Sequence, residues 1–177
     1  MEIWKPHVTV AAVVERDGRF LLVEEETAEG VRFNQPAGHL DAGESLVAAC
    51  IRETLEETAR EFMPTGLVGI YQWPRPQGDL TYLRFAFAGT VGAGPPQADV
   101  RPPVGGSEPG LRAWGGNKVG ARETARPLDA GILRTVWLTP AEIEACRERH
   151  RSPLVLQCVH DYLAGRSFPL DLLKHYD

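Results

Sequence analysis

The segment "RETLEE" sets Glu53, Glu56 and Glu57 directly after Arg52. Read as a helix with Glu53 at zero, Glu57 falls near about 40° and Glu56 near about 300°, so the three carboxylates share an arc of about 100°. A solvated helix face usually mixes signs to gain pairs four residues apart, whereas Glu53 and Glu57 repel at that spacing. Hard oxygen donors gathered in this way, completed by waters and phosphate oxygens, are how proteins usually hold Mg²⁺ or Mn²⁺. The counter-ion that the sequence lacks is therefore expected to be a divalent metal.

Positioning such a cluster requires a helix and a loop that feeds it. "QPAGHLDAGE" is a tight entry loop with glycines at Gly38 and Gly43, a turn type that lets backbone carbonyls approach the acidic face. The helix is expected from Ser45, a good N-cap, to Glu61. Val47, Ala48, Ile51, Leu55, Thr58 and Phe62 fall at about 120° to 220° on the same wheel, so the packed face is expected opposite the acids.

The remaining elements follow from periodicity and turn chemistry. Asp17-Gly18 between two apolar runs predicts a β-hairpin, Val8 to Val14 paired with Arg19 to Glu24. Short strands are expected at Val31 to Asn34, Gly66 to Trp73, Leu80 to Gly89 and within "GILRTVWLT". "TPAEIEAC" carries a capping box, with Thr139 as N-cap, Pro140 at the first helical position and Glu142 three after the cap. A last helix is expected after Ser152-Pro153, stopped by Gly165, with Leu154, Val155, Cys158, Val159 and Leu163 on its apolar face. From Gly92 to Pro127 the chain is dense in Gly and Pro and shows neither period, which predicts an extended excursion that holds Trp114. Strands first, one central helix and closing helices predict an α/β or α+β sandwich with a mixed sheet.

The spacing of Gly38, five residues, Glu44, seven residues, Arg52-Glu53, two residues, Glu56-Glu57 matches the signature G-x5-E-x7-R-E-U-x-E-E-x-G-U, and on these residues the chain resembles the Nudix hydrolases. A chance match at these positions has a probability on the order of one in 10⁵. "KPHVTVAAVVERDGRFLLVEEE", "NQPAGHLDAGESLVAA", "YLRFAFA" and "RSPLVLQCVHDYLAGRSFPLDLL" extend the resemblance, to a bacterial phosphatase of that family, over nearly the whole chain outside the excursion, which reads as an insertion. Three positions depart from the signature: Thr54 and Arg60 replace aliphatic residues, and Ala59 replaces a glycine. The last change is expected to let the helix run on past the usual stop.

The resemblance implies a Nudix-type α/β/α sandwich and hydrolysis of a phosphoanhydride bond in a small phosphorylated metabolite, either a nucleoside tri- or diphosphate or hydroxymethylpyrimidine diphosphate, with release of inorganic phosphate. It implies Mg²⁺, with Mn²⁺ as an alternative, on Glu53, Glu56, Glu57 and the carbonyl of Ala37. Glu53 is the expected general base, with Glu56 as the alternative, and an Arg52–Glu44 ion pair is expected to orient Glu53. Phe33, Asn34 and Gln35 before the signature, and Tyr71, Gln72 and Trp73 after it, are candidates to stack on or hydrogen-bond a base, while Arg84 is a candidate to reach a phosphate. His39 is expected to hydrogen-bond within the loop, and His7, His150, His160 and His175 form no spaced cluster.

Length and composition bound these readings. The chain has 177 residues, which suits one domain over 1–177, and is 43% hydrophobic and 24% charged. A formal charge of −5 with no basic stripe argues against nucleic acid as a partner and against RNA 5′ ends as substrate, while a metal still permits phosphate binding. Cys50, Cys146 and Cys158 have no metal-like spacing and are expected as reduced, buried hydrophobes. The apolar run Val8 to Val14 is too short for a membrane span and lacks a signal-peptide pattern, so the expected setting is the cytoplasm. A Nudix-fold nucleotide-binding or regulatory module without turnover is the competing reading; the intact Arg52, Glu53, Glu56 and Glu57 set favours the enzyme.

Overall fold

The structure, a computed structural model, describes residues 3–78, 80–92 and 127–176. Most of the expected Gly/Pro-rich excursion, including Trp114, lies outside the described residues. Strands β1 (His7–Arg16) and β2 (Arg19–Thr27) form the expected hairpin, each longer than its apolar run. Asp17 and Gly18 both take positive φ, 52° and 75°, the geometry that favours Asp-Gly in a two-residue turn. Then come β3 (Gly30–Asn34), β4 (Ala37–His39), α1 (Leu46–Thr58), β5 (Phe62–Pro74), β6 (Thr81–Val91), β7 (Ile132–Leu138), α2 (Pro140–Ala145) and α3 (Leu154–Leu163).

These strands make one mixed sheet in the order β3-β2-β1-β6-β5, with β7 on β2 and β4 on β1. The parallel pair is β1 with β6, in register from His7↔Tyr82 to Val14↔Gly89. Contact between β1 and β2 is confined to the turn end, at Glu15↔Phe20 and Arg16↔Arg19, and the first half of β1 takes β4 as partner instead. That divergence opens the sheet beside β4, where the entry loop and α1 dock.

The central strands are buried on both faces, so they read as continuous apolar runs rather than alternating ones. Val13, Phe20, Leu22 and Val136 face Ile143, Val155 and Val159 of α2 and α3 on one side. Val10, Ala12, Val14, Leu21 and Phe87 face Ala49 and Cys50 of α1 on the other. Helices on both faces of a mixed sheet give the expected α/β/α sandwich. The capping box at Thr139 forms as its residues predict, and Ser152 Oγ accepts the Leu154 N–H at 3.3 Å at the head of α3. No described helix is long and apolar enough to cross a membrane.

Helix α1 departs from expectation twice. Its buried residues are Ala49, Cys50, Thr54, Glu57 and Thr58, whereas Ala48 and Ile51 are exposed. The packed arc is thus rotated toward Glu57, so that of the expected stripe Thr58 and Phe62 are buried and Val47 packs against the core while Ala48 and Ile51 face solvent. Thr54 and Thr58 are tolerated inside because each hydroxyl donates to the carbonyl four residues back, to Cys50 at 2.7 Å and Thr54 at 2.6 Å. The helix also stops at Thr58 rather than running on. Ala59 adopts the left-handed conformation, φ 53° and ψ 29°, and its N–H donates to Leu55 O. The chain must turn there so that Phe62, 3% exposed, can enter the core as β5 begins, and tertiary packing overrides the local preference of alanine.

Candidate active site

The site is built where β4 passes α1. Ala12 N–H donates to Pro36 O and Leu40 N–H to Val8 O, so alternate residues of this segment pair with β1. The intervening Ala37 is therefore turned the other way, and its N–H donates to Glu57 Oε2 at 2.9 Å. In an extended strand the same residue's carbonyl shares that direction, toward α1. Gly38 is needed here for room rather than for an unusual φ: a side-chain carbon at this position would collide with the Glu53 carboxylate. Gly43, by contrast, has φ 79° and open space around it, so its requirement is conformational.

Arg52 organises the acids. Its guanidinium grips Glu44 bidentately, Nε to Oε1 and Nη2 to Oε2, both at 2.9 Å. Nη1 donates to Glu53 at 2.7 Å and to Glu56 at 3.2 Å, and Nη2 also reaches His39 O at 3.1 Å. The fork thus ties the loop to the helix and fixes Glu53. The hydrogen bonds from Arg52 hold the Glu44 carboxyl below its ordinary value.

The other carboxylates shift the opposite way. Burial pushes Glu57 up to about 8, opposed by the Ala37 N–H and reinforced by Glu25, Glu53 and Asp129. Burial also raises Glu53, with Arg52 opposing it, and raises Glu25, with Arg151 and Arg84 opposing. Asp129 is held close by its N–H, which donates to Glu56 O at 2.9 Å.

No group of three or more His, Cys, Asp or Glu side chains converges on one point among the described residues. The donors that could meet a cation are Glu53, Glu57, the Ala37 carbonyl and the more exposed Glu56. Such a set is all hard oxygen, leaves positions for water and phosphate oxygens, and suits Mg²⁺ or Mn²⁺ over softer ions. The residues present fit a divalent ion.

A cleft of about 760 Å³ borders this cluster at Glu25, Ala37 and Gly38 and runs to Trp73, Tyr82 and Arg84. Trp73 and Tyr82 lie nearly parallel, 5.8 Å apart with 19° between planes, and form part of its wall. Arg84 is not at a solvent edge: it is 7% exposed, and burial pushes its pKa below the ordinary value.

Phe33 and Gln35 are corrected. Phe33 is fully buried and its ring is covered by Arg149, 4.4 Å away, so it cannot stack on a base. Gln35 is 1% exposed and its amide is committed to Val155 O at 2.7 Å. Both are buried because the chain before α3 covers the β3 edge, with Arg151 N–H donating to Phe33 O at 2.8 Å, and α3 packs on Gln35. Tyr71 likewise donates to Asp161 at 2.9 Å, toward α3, and Gln72 is exposed. Asn34 does line the cleft. Sequence reasoning missed Glu25, Tyr82 and β4. Period two along β6 places Tyr82 on the face of Arg84 and was the available signal; nothing local marks Glu25.

Residues 5–114 match the family model described as NUDIX domain. Phosphatase NudJ of Escherichia coli (strain K12) is 33% identical over 175 residues, covering 99% of this chain and 95% of that protein. A NUDIX hydrolase from Nitrosomonas europaea superposes with a TM-score of 0.77 at 43% identity, covering 97% of this chain and 98% of the other. A MutT NUDIX hydrolase from Burkholderia pseudomallei, 16% identical with a TM-score of 0.63 over 89% of this chain and 98% of its own, shares the fold.

Proposed function

Because the chain belongs to the NUDIX hydrolase family, we propose that it is a Mg²⁺-dependent enzyme that cleaves the phosphoanhydride bond of a small phosphorylated metabolite, a nucleoside tri- or diphosphate or hydroxymethylpyrimidine diphosphate. The reading rests most on one observation: Glu57, tied to Ala37 N–H, and Glu53, packed on Gly38, stand beside a cleft that a buried arginine lines. The name of the relative Phosphatase NudJ favours release of inorganic phosphate.

Glu53, Glu56, Glu57 and the Ala37 carbonyl would hold the ion, with Mn²⁺ able to replace Mg²⁺. The ion supplies neutralisation of phosphate charge and makes a water more acidic. Glu53 accepts the proton of the attacking water, with Glu56 next in reach, and Arg52 keeps Glu53 aimed by the 2.7 Å bond and its grip on Glu44. Arg84 meets a phosphoryl oxygen, and Trp73 with Tyr82 offers a flat surface to a ring. One domain over residues 1–177, acting on a small molecule in the cytoplasm, completes the reading.

The test is phosphate and pyrophosphate release from these compounds with and without Mg²⁺, in the wild type and in Glu57→Gln. A glutamine oxygen can still accept the Ala37 N–H, so the variant should fold. We expect it to lose Mg²⁺-dependent release together with the rise in thermal midpoint that Mg²⁺ or Mn²⁺ gives the wild type. Full activity in Glu57→Gln removes the metal assignment.

A further inference from the structure

Arg84 is a buried cation with incomplete partners. Its Nη1 lies 3.4 Å from Gln35 Oε1, and Nη1 and Nη2 each lie 3.5 Å from Asn34 Oδ1. These contacts are long beside the usual 2.9 to 3.0 Å. Its Nε is buried without any hydrogen-bond partner, although the residue lines the cleft. A buried, under-bonded guanidinium is costly unless an anion completes it.

The two oxygen acceptors are neutral amides, so neither neutralises Arg84 in direct contact, while the Cys158 thiol and the carboxylates of Glu25 and Glu57 also act on it. Gln35 has no freedom in this arrangement: its Nε2 donates to Val155 O at 2.7 Å, so its Oε1 is the atom left to face the guanidinium. Val155 is fully buried in α3. Helix α3 therefore anchors the glutamine, and the glutamine orients the arginine.

We propose that Gln35 is a positioning residue, which presents the charged guanidinium of Arg84 to a phosphoryl oxygen of the substrate. This deepens the phosphoanhydride reading and rests on it.

Two measurements on the full chain test the proposal: titration with inorganic pyrophosphate in metal-free solution, which needs no turnover, and steady-state hydrolysis of a nucleoside diphosphate with Mg²⁺. Gln35→Met keeps the volume and loses both hydrogen bonds. It should raise the pyrophosphate Kd and the KM roughly tenfold, with kcat changed less than about threefold, as for loss of one hydrogen bond to a charged group. Arg84→Ala should do the same or more, and the double variant should be no worse than Arg84→Ala, because Gln35 acts through Arg84.

Wild-type Kd and KM in a folded Gln35→Met protein, or additive effects in the pair, overturn the proposal. Where Gln35→Met does not fold, Gln35→Glu decides: a carboxylate against Arg84 should quench the seat and raise the Kd about tenfold, and an unchanged Kd overturns it. Failure of both to fold assigns Gln35 a purely structural role. A wild type that hydrolyses no phosphoanhydride defeats the functional reading, while the pyrophosphate titration still judges Gln35 and Arg84 separately.

Discussion

The carboxyl group of Glu53 occupies the space that a side chain at residue 38 would need, so Gly38 and Glu53 define each other's positions. The helix side of this contact is fixed by Arg52, whose Nη1 holds Glu53 at 2.7 Å while its other nitrogens grip Glu44.

Gly38→Ala should therefore act on catalysis more than on stability. The three atoms nearest the new methyl all belong to the Glu53 carboxyl group, the far end of a flexible side chain, so the glutamate swings away rather than the strand. A displacement of about 1 Å in a catalytic group can cost about 100-fold in rate. Steady-state hydrolysis should fall by that order while the thermal midpoint moves by no more than about 2 °C. Retention of near wild-type activity would show that Glu53 is not held where the reaction needs it.

Ala59→Gly should stabilise the protein. Alanine at φ 53° bears a left-handed strain of about 1 kcal/mol or more that glycine does not, offset in part by the greater freedom of glycine in the unfolded chain. The net gain should appear in calorimetry as a midpoint higher by about 2 °C. A lower midpoint would mean that the cap at Leu55 O relieves the strain already.

His150 should make stability fall in mild acid. Burial lowers its pKa, with a backbone hydrogen bond and Glu144 opposing, so the folded chain prefers the neutral ring. Its contribution is complete above the unfolded value of about 6.5 and is lost as pH falls through the depressed folded value. Thermal midpoints measured from about pH 7.5 to about pH 5 should drop more steeply for the wild type than for His150→Gln. Parallel curves would exclude His150 as the titrating group.

Much of the fold is legible in local chemistry. Asp17-Gly18 dictates the hairpin because both positions must take positive φ. The spacing of Arg52, Glu53, Glu56 and Glu57 places the acids on one helical arc, the signature from Gly38 to Glu57 points to the family, and Thr139, Pro140 and Glu142 specify a capping box. Those features depend on short-range spacing along the chain.

Other features depended on what lies opposite. Periodicity alone could not say which side of α1 faces the sheet, because the acid side packs only where β4 supplies the Ala37 N–H and Gly38 leaves room. Ala59 ends the helix against its own preference because Phe62 must enter the core. Phe33 and Gln35 read as cleft residues until the sheet buries them, and nothing local shows that Arg84, the candidate to reach a phosphate, is buried against Asn34 and Gln35. The sequence by itself determined the acidic constellation, since helix geometry fixes angles at short range; tertiary structure decided which charges are buried, because desolvation depends on neighbours far away in the chain.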